Sequence, residues 1–487
     1  MIHLQEPACM IKGIVKASAL FTMGNMMPLL TSVVLLFPYT ENLSTALYGE
    51  LALYIAFTIF IQFTANYGMD NYVGIQHFRY KKDPEQMKAF VGSVVGALLV
   101  IGIVLITVFL LLGSFIFQMV FHGELDFFPF GFMCVITGVC NAFFRTYINF
   151  LYYRDKPVRH VVFNLFNFVV TIAVCTIGVY RYPEALTGPI WGRFLSGIAI
   201  FLLSAVFFQL EYGIRFNRSY LEGLHKFCFP VYIYVILGWV VFYINSFIIN
   251  YYNTTSDVGI YDFALKVVLL IDVTQTAVSA TINPRIYQIW TDTGLQKSTT
   301  GENRFHHVFT MFSVIMIAVS ILALPLLVQL FVRNESYYAI FPFIPVLAVS
   351  FAFRVLANTY YNPLMYFKKT GGLPRAYGYS SLVQIVSCVA FLQWFGLEGA
   401  FWSFFLSKVA VVFFSWMESR KIFRFEFNNY KMFLLPILYV LTTMTIFYLI
   451  PQNQYFLAAS LQLAVAGILV LLFFRKDLGA YRLLLNR

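Results

Sequence analysis

A full positive charge stands inside an apolar, aromatic stretch at residues 144–157, FRTYINFLYYRDKP, where Arg145 has Asn149 one helical turn later. Asn141, Arg145 and Asn149 recur every fourth residue and so share one helix face, and Arg354, Asn358 and Asn362 repeat the pattern further along. A guanidinium flanked by amides is an array of donors. Its planar fork can give two hydrogen bonds to one phosphate or carboxylate, and the amides can bond sugar hydroxyls. Two more polar stripes run Thr58, Gln62, Asn66, Asp70 and His160, Asn164, Asn167, Thr171. Asp262 and Lys266 are spaced i,i+4 with the acid first, which suits a self-neutralising pair as well as a place in a pathway. Asp70, Asp262, Asp272 and Glu398 are acids within or beside these stretches, able to bind and release a cation. Lys408 has no polar stripe around it and reads as structural.

The elements that hold these residues are read from composition. Of 487 residues 60% are hydrophobic, 19% aromatic and only 11% charged, with a mean hydropathy of +0.76. Soluble domains carry about 25% charged residues, so the chain lies outside that class. Fourteen apolar runs approach the length of about 20 residues that a helix needs to cross a hydrocarbon core. They fall near 14–37, 48–69, 89–121, 127–153, 160–180, 186–210, 227–250, 258–282, 305–332, 338–367, 375–396, 398–418, 431–450 and 455–474. The expectation is an all-α polytopic membrane protein, since a barrel would show short alternating segments instead. The N-terminus lacks a signal-peptide pattern, so the first run is expected to remain as a span. The six cysteines form no CxxC and read as buried free thiols. No P-loop, zinc motif or nucleophile–base set stands out, so neither a cofactor nor a metal is expected.

Charge gives the orientation. Loops on one side hold 26 of the 33 lysines and arginines; the opposite loops hold Arg181 and Arg333. The rich side, with both termini, is assigned to the cytoplasm. The net charge of +11 is therefore a topology signal, and no loop offers a basic domain for nucleic acid. Five cations remain within spans: Arg145, Arg193, Lys266, Arg354 and Lys408. A charge near the bilayer centre costs at least about 2.5 kcal/mol. Arg145 lies about 13 Å of helix from Arg154, and Arg354 about 21 Å from Lys368, too far for comfortable escape to the interface. Arg193 is close enough to its external end to snorkel. The polar faces around Arg145 and Arg354 then serve either as glue between helices or as the wall of a wet interior.

The first six spans resemble the next six. YGELALY (48–54) aligns with VGIYDFA (258–264), GPIWGRF (188–194) with GAFWSFF (399–405), and Phe144, Arg145 and Asn149 with Phe353, Arg354 and Asn358. Six is even, so duplication predicts two parallel, pseudo-symmetric six-helix bundles with a transport site between them. The expected organisation is 1–220, 221–425, and 426–487 for two additional C-terminal helices and a tail. With this layout, YGELALYIAFTIF, YGMDNYVGIQHFRYKK and VGIYDFALKV resemble the bacterial polysaccharide flippases, Wzx-type members of the multidrug/oligosaccharidyl-lipid/polysaccharide exporter superfamily. The resemblance implies a transporter, not an enzyme. It implies alternating access that moves an undecaprenyl-pyrophosphate-linked oligosaccharide, as in O-antigen and lipopolysaccharide assembly, to the periplasmic leaflet of the bacterial inner membrane. Partners would be that lipid, membrane lipids and polysaccharide assembly enzymes.

Arg145, Asn149, Arg354, Asn358 and Lys266 are accordingly the expected substrate contacts. A MATE-like drug or cation antiporter of the same superfamily would favour acidic cavity residues. A lipid II flippase would fit the same basic chemistry. A membrane glycan polymerase would want a sizeable external loop, and those expected here are about 5–10 residues, in the range of ordinary short connections.

Overall fold

The computed structural model describes residues 7–80, 82–213, 217–293, 300–367, 369 and 371–485. Of the basic loop residues, Lys81, Arg215, Lys297, Lys368 and Arg487 lie outside the described residues. The side chains of Cys9, Lys12, Lys16, Arg218, Lys476 and Arg482 do too.

Fourteen helices among the described residues are long and apolar enough to cross a membrane. They are α1 (Leu20–Asn42), α2 (Thr45–Tyr80), α3 (Pro84–Phe121), α4 (Phe127–Tyr153), α5 (Pro157–Arg181), α6 (Thr187–Tyr212) and α7 (Leu224–Tyr252). There follow α8 (Thr255–Thr293), α9 (Gly301–Phe331), α10 (Glu335–Tyr366), α11 (Gly372–Phe395), α12 (Leu397–Ser419), α13 (Tyr430–Leu449) and α14 (Gln452–Arg475). Each overlaps one of the fourteen runs read from the sequence, and no β-strand occurs among the described residues. The chain is an all-α, multi-pass membrane protein. It divides into two compact units, Met1–Trp239 and Val240–Arg487.

Local chemistry sets the helix ends. Ser44 caps α2 by accepting from Leu47 N, and Asp83 caps α3 through Glu85 N and Gln86 N with Pro84 in the first turn. Leu111, Met119 and Leu210, each above 70% exposed, present apolar surface to the surroundings, as helices in lipid must. α10 opens in 3-10 turns over Glu335–Phe343, where Pro342 withholds a backbone donor, and Pro345 opens the α-helical stretch that follows. The five described cysteines are free and buried.

Two features position the charged residues of the first unit. α2 is broken: Tyr67 (φ 50°) and Gly68 (φ 77°) are both left-handed, and the helix resumes at Met69. α4 has two faces. Phe143, Tyr147 and Phe150 pack into an aromatic core with Phe208 and Tyr212 of α6. Asn141, Arg145 and Asn149 lie on another side, as the 3.6-residue period requires. The aromatic face locks the rotation of α4 and so aims the polar one.

The aligned glycines of the two halves have the same packing role. A Cβ on Gly188 would stand 2.2 Å from Gly178 O of α5, and one on Gly399 would stand 2.2 Å from Phe391 O of α11. Each lets a helix meet its predecessor backbone to backbone, the small-residue contact that membrane helices favour.

Candidate functional site

Arg145 is held by a carboxylate that arrives across the break in α2. Asp70 lies in the first turn after Gly68, where a helix N-terminus favours negative charge. Its side chain is 3% exposed, and its Oδ2 accepts from Arg145 Nε at 3.1 Å and Asn149 Nδ2 at 2.7 Å. Oδ1 accepts from the backbone N and the Nδ2 of Asn71. Four donors saturate the carboxylate. Arg145 makes no further hydrogen bond among the described residues; its side chain is 40% exposed, and Cζ stacks 5.3 Å from the centroid of Phe63. Pairing through Nε leaves the two terminal amino groups, the edge that grips an oxyanion bidentately, without a partner among the described residues.

That edge adjoins a cavity of about 520 Å³ inside the first unit, walled by α1, α2, α4, α5 and α6. Polar residues dominate its lining: Thr58 and Gln62 of α2, Asn141 and Asn149 of α4, Asn164, Asn167 and Thr171 of α5, and Asn25 of α1 among them. Its two charged lining residues are Arg145 and Arg193, and no carboxylate is part of the wall. The polar stripes read from the sequence thus converge on one space. Their outer members do not. Asn66 donates to Thr146 Oγ1 at 3.0 Å, and His160 is fully buried, edge-on to Phe21.

The sequence reading assigned Arg193 to snorkelling; the structure sets it on the cavity wall. Arg193 lines the cavity, its Nε is buried with no hydrogen-bond partner, and no described carboxylate pairs with it. Tyr39 and Cys175 lie beside the guanidinium. Depth along one helix could not show this, because the rotation of α6 decides it.

The second unit handles its charges differently. Arg354 bonds Asp272 of α8 through one terminal nitrogen and Thr276 Oγ1 through the other, the latter at 2.8 Å. Its fork is occupied. Lys408 places its ammonium 4.3 Å from the Phe242 centroid and 4.6 Å from that of Phe404, a cation–π sandwich. Asp272 and Arg354 act on it electrostatically. Lys266 pairs with Asp262 at 2.5 Å, within its own helix. Asn358 and Asn362 both donate to Asn283 Oδ1, at 3.1 and 3.0 Å. Glu398 accepts from Trp402 Nε1 at 3.3 Å and joins none of these groups among the described residues. Among the described residues no cluster of His, Cys, Asp or Glu could hold a metal ion.

A family profile described as "Polysaccharide biosynthesis protein" matches residues 14–290, more than half of the chain. The chain belongs to that family. The matched stretch contains Asp70, Arg145, Arg193, Asp262 and Asp272, and ends before Arg354 and Lys408.

Solved structures give this polysaccharide biosynthesis protein its fold. It is similar to the lipid II flippase MurJ in an inward closed conformation: 15% identity, 94% of this chain and 100% of that one covered, TM-score 0.74. An inward-facing multidrug resistance MATE transporter of the MOP superfamily matches with 13% identity over 83% and 94% of the two chains, TM-score 0.64. A Vibrio cholerae MATE transporter matches with 12% identity over 85% and 97%, TM-score 0.60. No curated protein sequence matches the chain. At these identities the likeness establishes the MurJ/MATE-like transporter fold and leaves the cargo to the chemistry of the site.

Proposed function

We propose that this protein flips an oligosaccharide linked through pyrophosphate to undecaprenol from the cytoplasmic to the periplasmic leaflet of a bacterial inner membrane, by alternating access with both termini cytoplasmic. The observation that carries this reading is the cavity of the first unit, whose charged lining residues are two arginines set among amides and hydroxyls. The free edge of Arg145 and Arg193, which no described carboxylate balances, supply donors for the phosphates. Gln62, Asn141, Asn149 and Asn167 supply both donors and acceptors for sugar hydroxyls. Arg354, Asn358 and Lys266, the further contacts expected from the sequence, are engaged within the second unit, and Asp70, Asp262, Asp272 and Glu398 are the acids proposed for ion coupling. A drug-cation antiporter is disfavoured because it would need carboxylates where this wall has guanidiniums.

The similarity to a lipid II flippase supports a second reading with the same anionic linkage. One assay separates the two. Purified protein in vesicles is given lipid-linked oligosaccharide or lipid II, and the leaflet occupied by each is read by an impermeant reagent. Transfer of the oligosaccharide lipid in preference to lipid II supports the proposal. Transfer of lipid II alone replaces it, and transfer of cationic dyes alone overturns both.

A further inference from the structure

Glu302 and His306 stand one turn apart at the start of α9, 0% and 2% exposed. They belong to neither the cavity nor the charge pairs above. Glu302 Oε2 accepts from Trp290 Nε1 of α8 at 2.7 Å, and Oε1 lies 3.4 Å from His306 Nε2. Across the ring, Nδ1 is 3.0 Å from Thr359 Oγ1 of α10. The Thr359 hydroxyl carries one proton and gives it to the Val355 carbonyl at 2.8 Å. If the hydroxyl turns to the ring instead, Nδ1 accepts it and Nε2–H faces Glu302; with the Val355 bond made, Nδ1 donates to Thr359. A neutral ring would then turn a bare Nε2 lone pair toward an ionised carboxylate inside a buried site, which is unfavourable. One more proton belongs between them, as imidazolium with carboxylate or imidazole with carboxylic acid.

We propose that Glu302 and His306 form a proton-binding site whose occupancy switches the contact between α9 and α10. When the proton leaves, the pair becomes singly negative and the ring changes tautomer, with Nε2–H now donating to Glu302. Nδ1 becomes an acceptor, and Thr359 turns its hydroxyl from Val355 to the ring. The switch alters the bonding of α10 one residue from Asn358, whose amide bonds Asn283 of α8. Two discrete hydrogen-bond arrangements in a packed core are the kind of element through which a bound ion biases a conformation.

Titratable and charged groups on the surrounding elements are Arg285, Tyr287 and Asp292 on α8, and Arg304 and His307 on α9. Arg354, Tyr360, Tyr361 and Tyr366 on α10, Arg424 and Glu426 after α12, and Tyr430 and Lys431 on α13 are further members among the described residues, with Asp272 deeper on α8. The proton site stands independently of the cargo; its use in transport rests on the flippase reading.

Trp290 reports on the pair directly. With Trp191, Trp239, Trp394, Trp402 and Trp416 replaced by phenylalanine, its emission in lipid nanodiscs is followed from about pH 5 to 9, the range in which imidazoles titrate. A one-proton transition that disappears in Glu302→Gln is expected. Emission flat across that range, or a transition unmoved by Glu302→Gln, overturns the proposal. A second measurement needs no tryptophan removal: the pH dependence of deuterium exchange at the His306 ring C2, by mass spectrometry of the full chain. Its midpoint is expected to differ by at least tenfold in proton concentration between wild type and Glu302→Gln; equal midpoints also overturn the site.

For the coupling, vesicles under an imposed pH gradient should show flipping that responds to the gradient in wild type and not in Glu302→Gln. An equal response in both overturns the coupling. Absence of flipping by wild type counts against the flippase reading instead, and the Trp290 titration then judges the proton site alone.

Discussion

Arg145 reaches Asp70 through Nε alone at 3.1 Å, whereas its repeat counterpart Arg354 commits both terminal nitrogens, to Asp272 and Thr276. The arginines occupy matching places in the two halves, but their carboxylates do not. At the 210-residue offset of the aligned glycines Gly49 and Gly259, Asp272 corresponds to Gln62 and Asp70 to Ala280. One arginine is left with a free edge beside a cavity, and the other is tied down. The two should answer mutation differently.

Arg145→Ala strands the buried Asp70 charge and should cost about 3 kcal/mol, the low end for a broken buried pair because the arginine itself is partly exposed. Arg145→Ala combined with Asp70→Asn should regain thermal stability without regaining flipping. Thermal unfolding by size-exclusion fluorescence and the leaflet assay check this. Flipping restored along with stability would make Arg145 purely structural.

Arg354→Gln should act mainly on stability. It leaves Asp272 without its ion-pair partner, and the paired change with Asp272→Asn should recover most of the loss. Concentration dependence of flipping is the discriminating measurement. A larger shift in half-saturation for Arg354→Gln than for Arg145→Gln would reverse the assignment.

Arg193→Gln removes a cation that no described carboxylate balances. Uncompensated charge in a low-dielectric wall is unfavourable, so the variant should be as stable as wild type or more so while flipping falls at least tenfold. Such a trade between stability and activity is expected where a site holds strain for its ligand. Unchanged flipping in Arg193→Gln would remove it from the site.

Gly188→Ala places a methyl group 2.2 Å from the Gly178 carbonyl oxygen. No side-chain rotation relieves a contact with backbone, so α5 and α6 must separate, at a cost of about 1–3 kcal/mol or more. Gly399→Ala should do the same to α11 and α12. Yields of folded protein after detergent extraction test both, with Gly467→Ala, where a Cβ meets nothing within 4 Å, as the tolerated control.

Spans, breaks and the arginine-bearing faces were legible in the sequence because each is a property of one helix. Length and hydropathy determine whether a segment can cross hydrocarbon, and the four-residue recurrence of Asn141, Arg145 and Asn149 determines that they share a side. The i,i+4 pair of Asp262 and Lys266 was legible too, but membership of the pairs between segments was not. Asp70 meets Arg145 only because the left-handed residues Tyr67 and Gly68 restart α2 beneath α4, and Asp272 meets Arg354 from a position that holds glutamine in the first half. Arg193, placed by its depth at an interface, turned out to face the cavity. Depth follows from counting residues along one chain segment. Facing depends on how neighbouring helices rotate to bury their aromatic and glycine surfaces, and that is decided only when all of them pack.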